Sequence, residues 1–95
     1  MCIRDRAHNL ALLANVGWLR RRLDLPLLVG PSRKSFLGRL VDEPEAARRD
    51  AATFAACAVA AFAGADAVRV HDAAGARTAV AVGRALRAAR RGEPA

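Results

Sequence analysis

The apolar residues of this chain follow helical and strand-like spacings in turn. Over residues 8–23 they recur at intervals of three and four, as on one face of an amphipathic helix. Residues 27–30 then form a short apolar run, typical of a strand buried on both faces. A second strand is predicted over residues 67–70, and a last helix over residues 74–91.

Local signals predict where the helix between the two strands begins and ends. Asp42 and Glu43 followed by Pro44 are the expected chemistry of a helix start, and Gly64 is a good stop. The apolar residues between them recur at helical spacing, which predicts an inward-facing stripe. This stripe comprises Phe54, Cys57, Ala58, Ala61 and Phe62.

The order helix, strand, helix, strand, helix predicts an α/β fold. Strands separated by a helix pair in parallel, because a parallel neighbour needs a crossover connection. One βα unit of a (β/α)₈ TIM barrel takes roughly 30 residues, which fits this spacing once an extra polar loop is counted. Two strands cannot close a barrel, and both outer edges would stay unpaired. The sequence therefore predicts a partial barrel of order α-β-α-β-α.

Composition narrows the class of protein. Hydrophobic residues make up 54% of the chain, which argues against disorder, although many are alanine and predict a thin core. Cys2 and Cys57 have no metal-binding or redox spacing, which fits a reduced, cytoplasmic setting with Cys57 in the core. In the last helix Gly75 and Gly83 each cost about 1 kcal/mol relative to alanine, so that helix needs packing.

The charge balance raises nucleic-acid binding as one function. Sixteen basic residues stand against nine acidic ones, a net charge of +7. The arginines form scattered clusters at the expected ends of helices, with no aromatic residues between them for base stacking, so this function is disfavoured. Lys34 is the single lysine, which indicates a position that needs a compact ammonium.

Polar side chains gather where each predicted strand ends. Arg69 and His71 are two residues apart on a strand, so both leave the same face and together could clamp an anion. Ser35 lies where a helix could begin, and a helix N-terminus favours a carboxylate or phosphate. Each residue alone is explained by a turn or a solvated edge. Because ligands bind at the carboxyl ends of parallel strands, the two clusters together predict an anion site.

Four segments resemble the end of the dihydropteroate synthase family, and the likeness runs from about Ala7 to the end of the chain. Leu-Val-Gly-Pro-Ser-Arg-Lys-Ser-Phe-Leu-Gly at 28–38 resembles the family's loop after strand seven, and Val-Arg-Val-His-Asp at 68–72 its strand eight. Residues 8–13 and 48–53 resemble helix six and the start of the helix after strand seven. The resemblance implies strands seven and eight of the barrel with helices six to eight.

The resemblance also implies an activity. The family condenses 6-hydroxymethyl-7,8-dihydropterin diphosphate with p-aminobenzoate to 7,8-dihydropteroate in cytoplasmic folate biosynthesis, releases pyrophosphate, and is the target of sulfonamides. The intact parent would be a transferase that uses Mg²⁺, commonly a homodimer, with no membrane or nucleic-acid partner. By resemblance, Lys34 contacts the pterin and Ser35 receives the p-aminobenzoate carboxylate. Ser32 and Arg33 line the same loop. Arg69 and His71 hold the diphosphate.

Departures from the family pattern limit these expectations. The Asp-Pro-Gly strand and the earlier asparagine linked to magnesium are missing, so no metal ligand is expected in residues 7–95. Residues 1–6 resemble nothing in the family and are interpreted as a non-native leader, or else as the start of a truncated gene. The chain alone is expected to be inactive. An anion-binding module or a subunit of a split barrel is the alternative, followed by a basic nucleic-acid-binding fragment.

Overall fold

The computed structural model describes residues 3–31 and 35–90 of the chain. Within these ranges, helices alternate with two short strands. The elements are α1 (Ile3–Ala14), α2 (Val16–Leu23), β1 (Leu28–Val29), α3 (Ser35–Val41), a 3₁₀ turn (Ala46–Arg48), α4 (Asp50–Ala63), β2 (Ala67–Val68) and α5 (Ala73–Arg90). The strands are shorter than predicted. They pair in parallel, which confirms an α/β arrangement of two parallel strands.

The single helix predicted over residues 8–23 is wrong, because Asn15 divides it into α1 and α2. The Asn15 side chain donates to the Ala11 carbonyl at 2.7 Å, and its backbone N–H is shared between Ala11 and Leu12. Asparagine competes in this way with regular helical hydrogen bonding. The α2 helix ends at Asp24, which has a left-handed backbone with φ 51°.

The helix predicted to begin at Asp42 begins instead at Asp50. Asp42 has a φ of 57°, and the Glu43 N–H bonds back to the Gly38 carbonyl at 2.8 Å, so the chain turns here. Arg49 then donates to the Glu43 carbonyl at 3.1 Å, which holds the turn in a non-helical form. The predicted helix start at Asp42, Glu43 and Pro44 therefore lies in the loop between α3 and α4.

The end of α4 is as predicted. Gly64 has a φ of 111°, a conformation that a side chain disfavours, and its N–H bonds to the carbonyls of Ala60 and Ala61. Cys57 is fully buried as a core residue, and burial raises the pKa of its thiol. Of the predicted inward stripe, Cys57 and Ala61 are buried, whereas Phe54, Ala58 and Phe62 are half-buried.

The core lies between the sheet, α2 and α4. Its buried residues are small: Val16, Ala60 and Ala65, with Leu27 and Val29 packed against them. Because alanine contributes little apolar area, this core is thin, as the composition predicted. No helix in the described ranges is long and apolar enough to cross a membrane.

Within the described ranges, the most extensive packing between two helices is that of α4 with α5, and it explains the glycines of α5. A Cβ at Gly83 would collide with the Ala58 carbonyl oxygen and lie 2.9 Å from the Ala61 Cβ. A Cβ at Gly75 would instead meet the tip of the Phe54 ring. These glycines let two helices approach, which offsets their poor helix propensity.

Gly83→Ala is expected to lower the free energy of unfolding by about 1–2 kcal/mol, because overpacking against a backbone carbonyl exceeds the gain in helix propensity. Gly75→Ala is the matched control in the same helix. Its obstacle is the end of a half-buried side chain that can rotate, so the change should be near zero. Urea denaturation followed by circular dichroism measures both, and equal effects would contradict this account.

Three residues, Arg20, Leu27 and Asp66, form a clasp that joins the N-terminal ends (the entrances) of the two strands. Oδ2 of Asp66 accepts the Leu27 backbone N–H at 2.7 Å and Nε of Arg20 at 2.8 Å. In return the Leu27 carbonyl accepts the Asp66 N–H at 2.9 Å. The bond from Leu27, with smaller contributions from Arg20 and Arg84, lowers the pKa of the Asp66 carboxyl below its ordinary value.

A depressed carboxyl pKa makes the folded state favour the ionised form. Asp66 therefore contributes stability above its unfolded pKa of about 4, and this contribution is lost as the pH falls through the folded pKa. The stability difference between the parent and Asp66→Asn should be constant above about pH 5 and shrink below about pH 4. Urea titrations over this range test the prediction. Glu45→Gln, which alters an exposed ion pair with Arg48, is the control and should show little difference.

Candidate functional site

The parallel register brings the carboxyl ends of β1 and β2 together. Val29 lies opposite Val68, and the Arg69 N–H donates to the Val29 carbonyl at 2.9 Å. Gly30 is next to Arg69, since a Cβ built on Gly30 would lie 3.8 Å from the Arg69 Cβ. The loop that follows β1 therefore starts beside the residue that follows β2.

Arg69 and His71 are both exposed at this edge of the sheet. Among the described residues, the Arg69 guanidinium forms no ion pair with a carboxylate, so its charge is not neutralised there. Pro31, directly after Gly30, is buried. The site thus presents a cation at the strand ends.

Asp72 helps to start α5 and is not a free site carboxylate. Its Oδ1 accepts the Gly75 N–H at 3.1 Å and its carbonyl accepts the Ala76 N–H at 3.1 Å, an N-cap arrangement. His71 therefore immediately precedes the N-terminus of α5. The positive end of that helix dipole adds to the attraction that Arg69 exerts on an anion.

The structure describes only one of the four predicted site residues that follow β1. Ser32, Arg33 and Lys34 lie outside the described residues. Ser35 is the first residue of α3, as the sequence predicted for a helix start there. Sequence reasoning did not single out Gly30, and no local signal marks it, because its contact with Arg69 is an ordinary one that the strand register creates.

A metal centre has no ligand set in the described part of the chain. Within residues 3–31 and 35–90, no group of three or more His, Cys, Asp and Glu side chains could hold a metal ion. The chemistry that these residues offer is electrostatic binding of an anion.

Comparison with known protein families assigns the class. The model of the family described as pterin binding enzyme matches residues 3–71, which include both strands and the residues between them. The chain belongs to this family. The match and α1 both begin at residue 3, within the six residues interpreted above as a leader, and that interpretation stays a prediction.

Several similar proteins within this family are dihydropteroate synthases. A dihydropteroate synthase of Synechocystis sp. is 52% identical over 64 residues, which cover 67% of this chain and 22% of the relative. The solved dihydropteroate synthase of Coxiella burnetii, in complex with pteroic acid, superposes with a TM-score of 0.82 at 30% identity over 88% of this chain. That of Thermus thermophilus, in complex with 4-aminobenzoate, gives 0.76 at 38% identity over 85% of this chain.

The chain spans only a small part of these relatives. It covers 22% of the Synechocystis protein, 30% of the Coxiella chain and 31% of the Thermus chain. The resemblance to dihydropteroate synthase predicted from the strand-end motifs is confirmed at the level of family and homologues.

Proposed function

We propose that the chain supplies one side of the substrate pocket of a dihydropteroate synthase, a transferase of folate biosynthesis. The observation that carries the proposal is the placement of exposed Arg69 beside Gly30, at the carboxyl ends of two parallel strands. Relatives solved with pteroic acid and with 4-aminobenzoate support the pterin and the p-aminobenzoate as substrates. The complete reaction joins these two and releases pyrophosphate.

Arg69 and His71 are proposed to hold the diphosphate of the pterin substrate. A guanidinium can grip phosphate oxygens with two parallel hydrogen bonds, and the N-terminus of α5 adds a favourable dipole. As the bond to pyrophosphate breaks, negative charge grows on the leaving oxygens. A cation already fixed at this position stabilises that charge without reorganising, which lowers the barrier.

The loop after β1 is proposed to serve the second substrate. In this assignment Ser35, at the start of α3, receives the carboxylate of p-aminobenzoate, and Lys34 contacts the pterin beside it. Ser32 and Arg33 line the loop. The close approach of Gly30 to Arg69 supports this assignment, because it brings the start of the loop to the diphosphate side of the pocket.

The remaining partners belong to the whole enzyme. The strands would be the seventh and eighth of a TIM barrel, in order α-β-α-β-α from helix six onward. The described residues offer no ligand cluster for Mg²⁺, so no step is assigned to a metal in this chain. A homodimer and a cytoplasmic location are proposed for the parent on the family resemblance alone.

A subunit of a split barrel is the second candidate. Two apolar grooves of about 320 and 310 Å³ lie beside β1 and β2, where further strands would pack. Nucleic-acid binding is less favoured, because arginines of α5 are engaged within the chain. Arg87 donates to the Phe62 carbonyl at 3.0 Å, Arg84 donates to the Asp66 carbonyl at 3.2 Å, and Arg90 lies 4.5 Å from the Phe62 ring centroid.

A hybrid enzyme tests the proposal. In this hybrid synthase, residues 7–95 replace the corresponding segment of the Synechocystis synthase. The hybrid is expected to form dihydropteroate from the pterin diphosphate and p-aminobenzoate, whereas the same protein with the segment deleted should not. A hybrid that folds, binds neither substrate and shows no turnover would overturn the proposal.

A further inference from the structure

The clasp of Arg20, Leu27 and Asp66 lies at the opposite end of the strands from the candidate site. Asp66 directly precedes β2, and Leu27 directly precedes β1. Their reciprocal hydrogen bonds, at 2.7 and 2.9 Å, fix one strand entrance against the other. The Arg20 side chain, from the last turn of α2, closes the clasp at 2.8 Å.

The strands themselves are too short to define their alignment strongly. Only Leu28 with Ala67 and Val29 with Val68 form the ladder. A slip of one residue would turn every β2 side chain to the other face, which would take Arg69 away from Gly30. Specific contacts outside the ladder are therefore needed to hold this register.

Two features distinguish the clasp from the exposed ion pair of Arg48 with Glu45. Its charged side chains are less exposed than those of that pair, at 33% for Arg20 and 39% for Asp66. Asp66 also accepts a hydrogen bond from a backbone N–H, which ties the carboxylate to the β1 entrance. By contrast, the Arg48–Glu45 pair is 71% and 64% exposed at 3.4 Å and joins neighbouring turns of one segment.

We propose that Asp66 is a positioning residue for the anion site. By accepting the Leu27 N–H and the Arg20 guanidinium, it sets the register of β2 on β1. That register holds Arg69, three residues further on, beside Gly30. The inference rests on the proposed function, since Arg69 must bind the diphosphate for its displacement to matter.

The test uses the hybrid synthase with four variants of the two ion pairs, and with Arg69→Ala to check the site itself. Asp66→Ala removes the clasp and should raise KM for the pterin diphosphate about tenfold, with less than about twofold change for p-aminobenzoate. Asp66→Asn keeps an oxygen that can accept the Leu27 N–H, so its KM for the pterin diphosphate should stay within about threefold of the parent value. Arg20→Met leaves the Leu27 bond and should raise the same KM about threefold. Glu45→Ala, which removes the exposed pair, should change neither KM.

The outcomes separate the inference from the function on which it rests. A folded Asp66→Ala protein with unchanged or equally raised KM values for the two substrates would overturn the positioning role. If Asp66→Ala does not fold, Arg20→Met decides, and the absence of a selective rise overturns it. If Arg69→Ala in the same hybrid leaves KM for the diphosphate unchanged, the proposed site itself fails. If KM for the pterin diphosphate rises with Arg69→Ala but not with Asp66→Ala, the positioning role of Asp66 is rejected and the proposed site stands.

Discussion

The 95-residue chain by itself is expected to form no dihydropteroate from the pterin diphosphate and p-aminobenzoate. It spans 22% of the Synechocystis synthase and 30% of the Coxiella synthase. A pocket built from the ends of many barrel strands loses most of its walls when two strands are left. Without those walls neither substrate is oriented for attack, and orientation accounts for a large part of the rate.

Purified chain should therefore give turnover indistinguishable from a buffer blank in a coupled pyrophosphate-release assay. The hybrid synthase at the same concentration is the positive control. Turnover that copurifies with the chain and scales with its concentration would contradict the prediction. Such a result would favour assembly of several copies into a working pocket.

The apolar surface of the chain supports this expectation. Leu28, on β1, is 63% exposed, and Leu12 and Leu25 are 55% and 61% exposed. Large apolar side chains beside an open sheet edge indicate a surface that another part of a protein covers. The thin alanine-rich core provides little stabilisation to offset their exposure.

Arg69→Ala in the hybrid synthase is expected to weaken binding of the pterin diphosphate far more than binding of p-aminobenzoate. A hydrogen bond to a charged group contributes about 1.5–3 kcal/mol, which corresponds to a rise of about 10- to 150-fold in KM for the diphosphate. KM for p-aminobenzoate should change less than about threefold, because its carboxylate is assigned to Ser35 on the other strand end. Steady-state kinetics with each substrate varied in turn measures the difference.

Two further variants sharpen that experiment. Arg69→Lys keeps the charge but loses the planar fork, so it should recover part of the binding. Arg48→Ala removes an exposed arginine from the 3₁₀ turn and should leave both KM values unchanged. Equal losses for the two substrates with Arg69→Ala would contradict its assignment to the diphosphate.

Much of the fold could be predicted because its signals are local. Gly64 ends α4 as expected, since the left-handed conformation that closes a helix favours glycine wherever the helix lies. Burial of Cys57 followed from its place in an apolar stripe. Parallel pairing of two strands followed from the helix between them.

The predictions that were wrong concern competition between local signals. Asp42, Glu43 and Pro44 have the composition of a helix start, yet Arg49 binds the Glu43 carbonyl and keeps them in a loop. Asn15 could have extended the first helix, but its side chain shares the Ala11 carbonyl with its own backbone N–H. Which hydrogen bond forms depends on what lies nearby in space, and a sequence pattern does not contain that information.

The sequence by itself determined the family and the parallel pairing of the two strands, whereas the anion-binding residues stay a prediction. These follow from residue types at short, fixed separations. Only the tertiary structure revealed that Asp72 caps α5, that Gly83 allows α5 to approach the Ala58 carbonyl, and that Asp66 joins the two strand entrances. Asp66 and Leu27 are 39 residues apart, and contacts over such separations are set by how the helices pack.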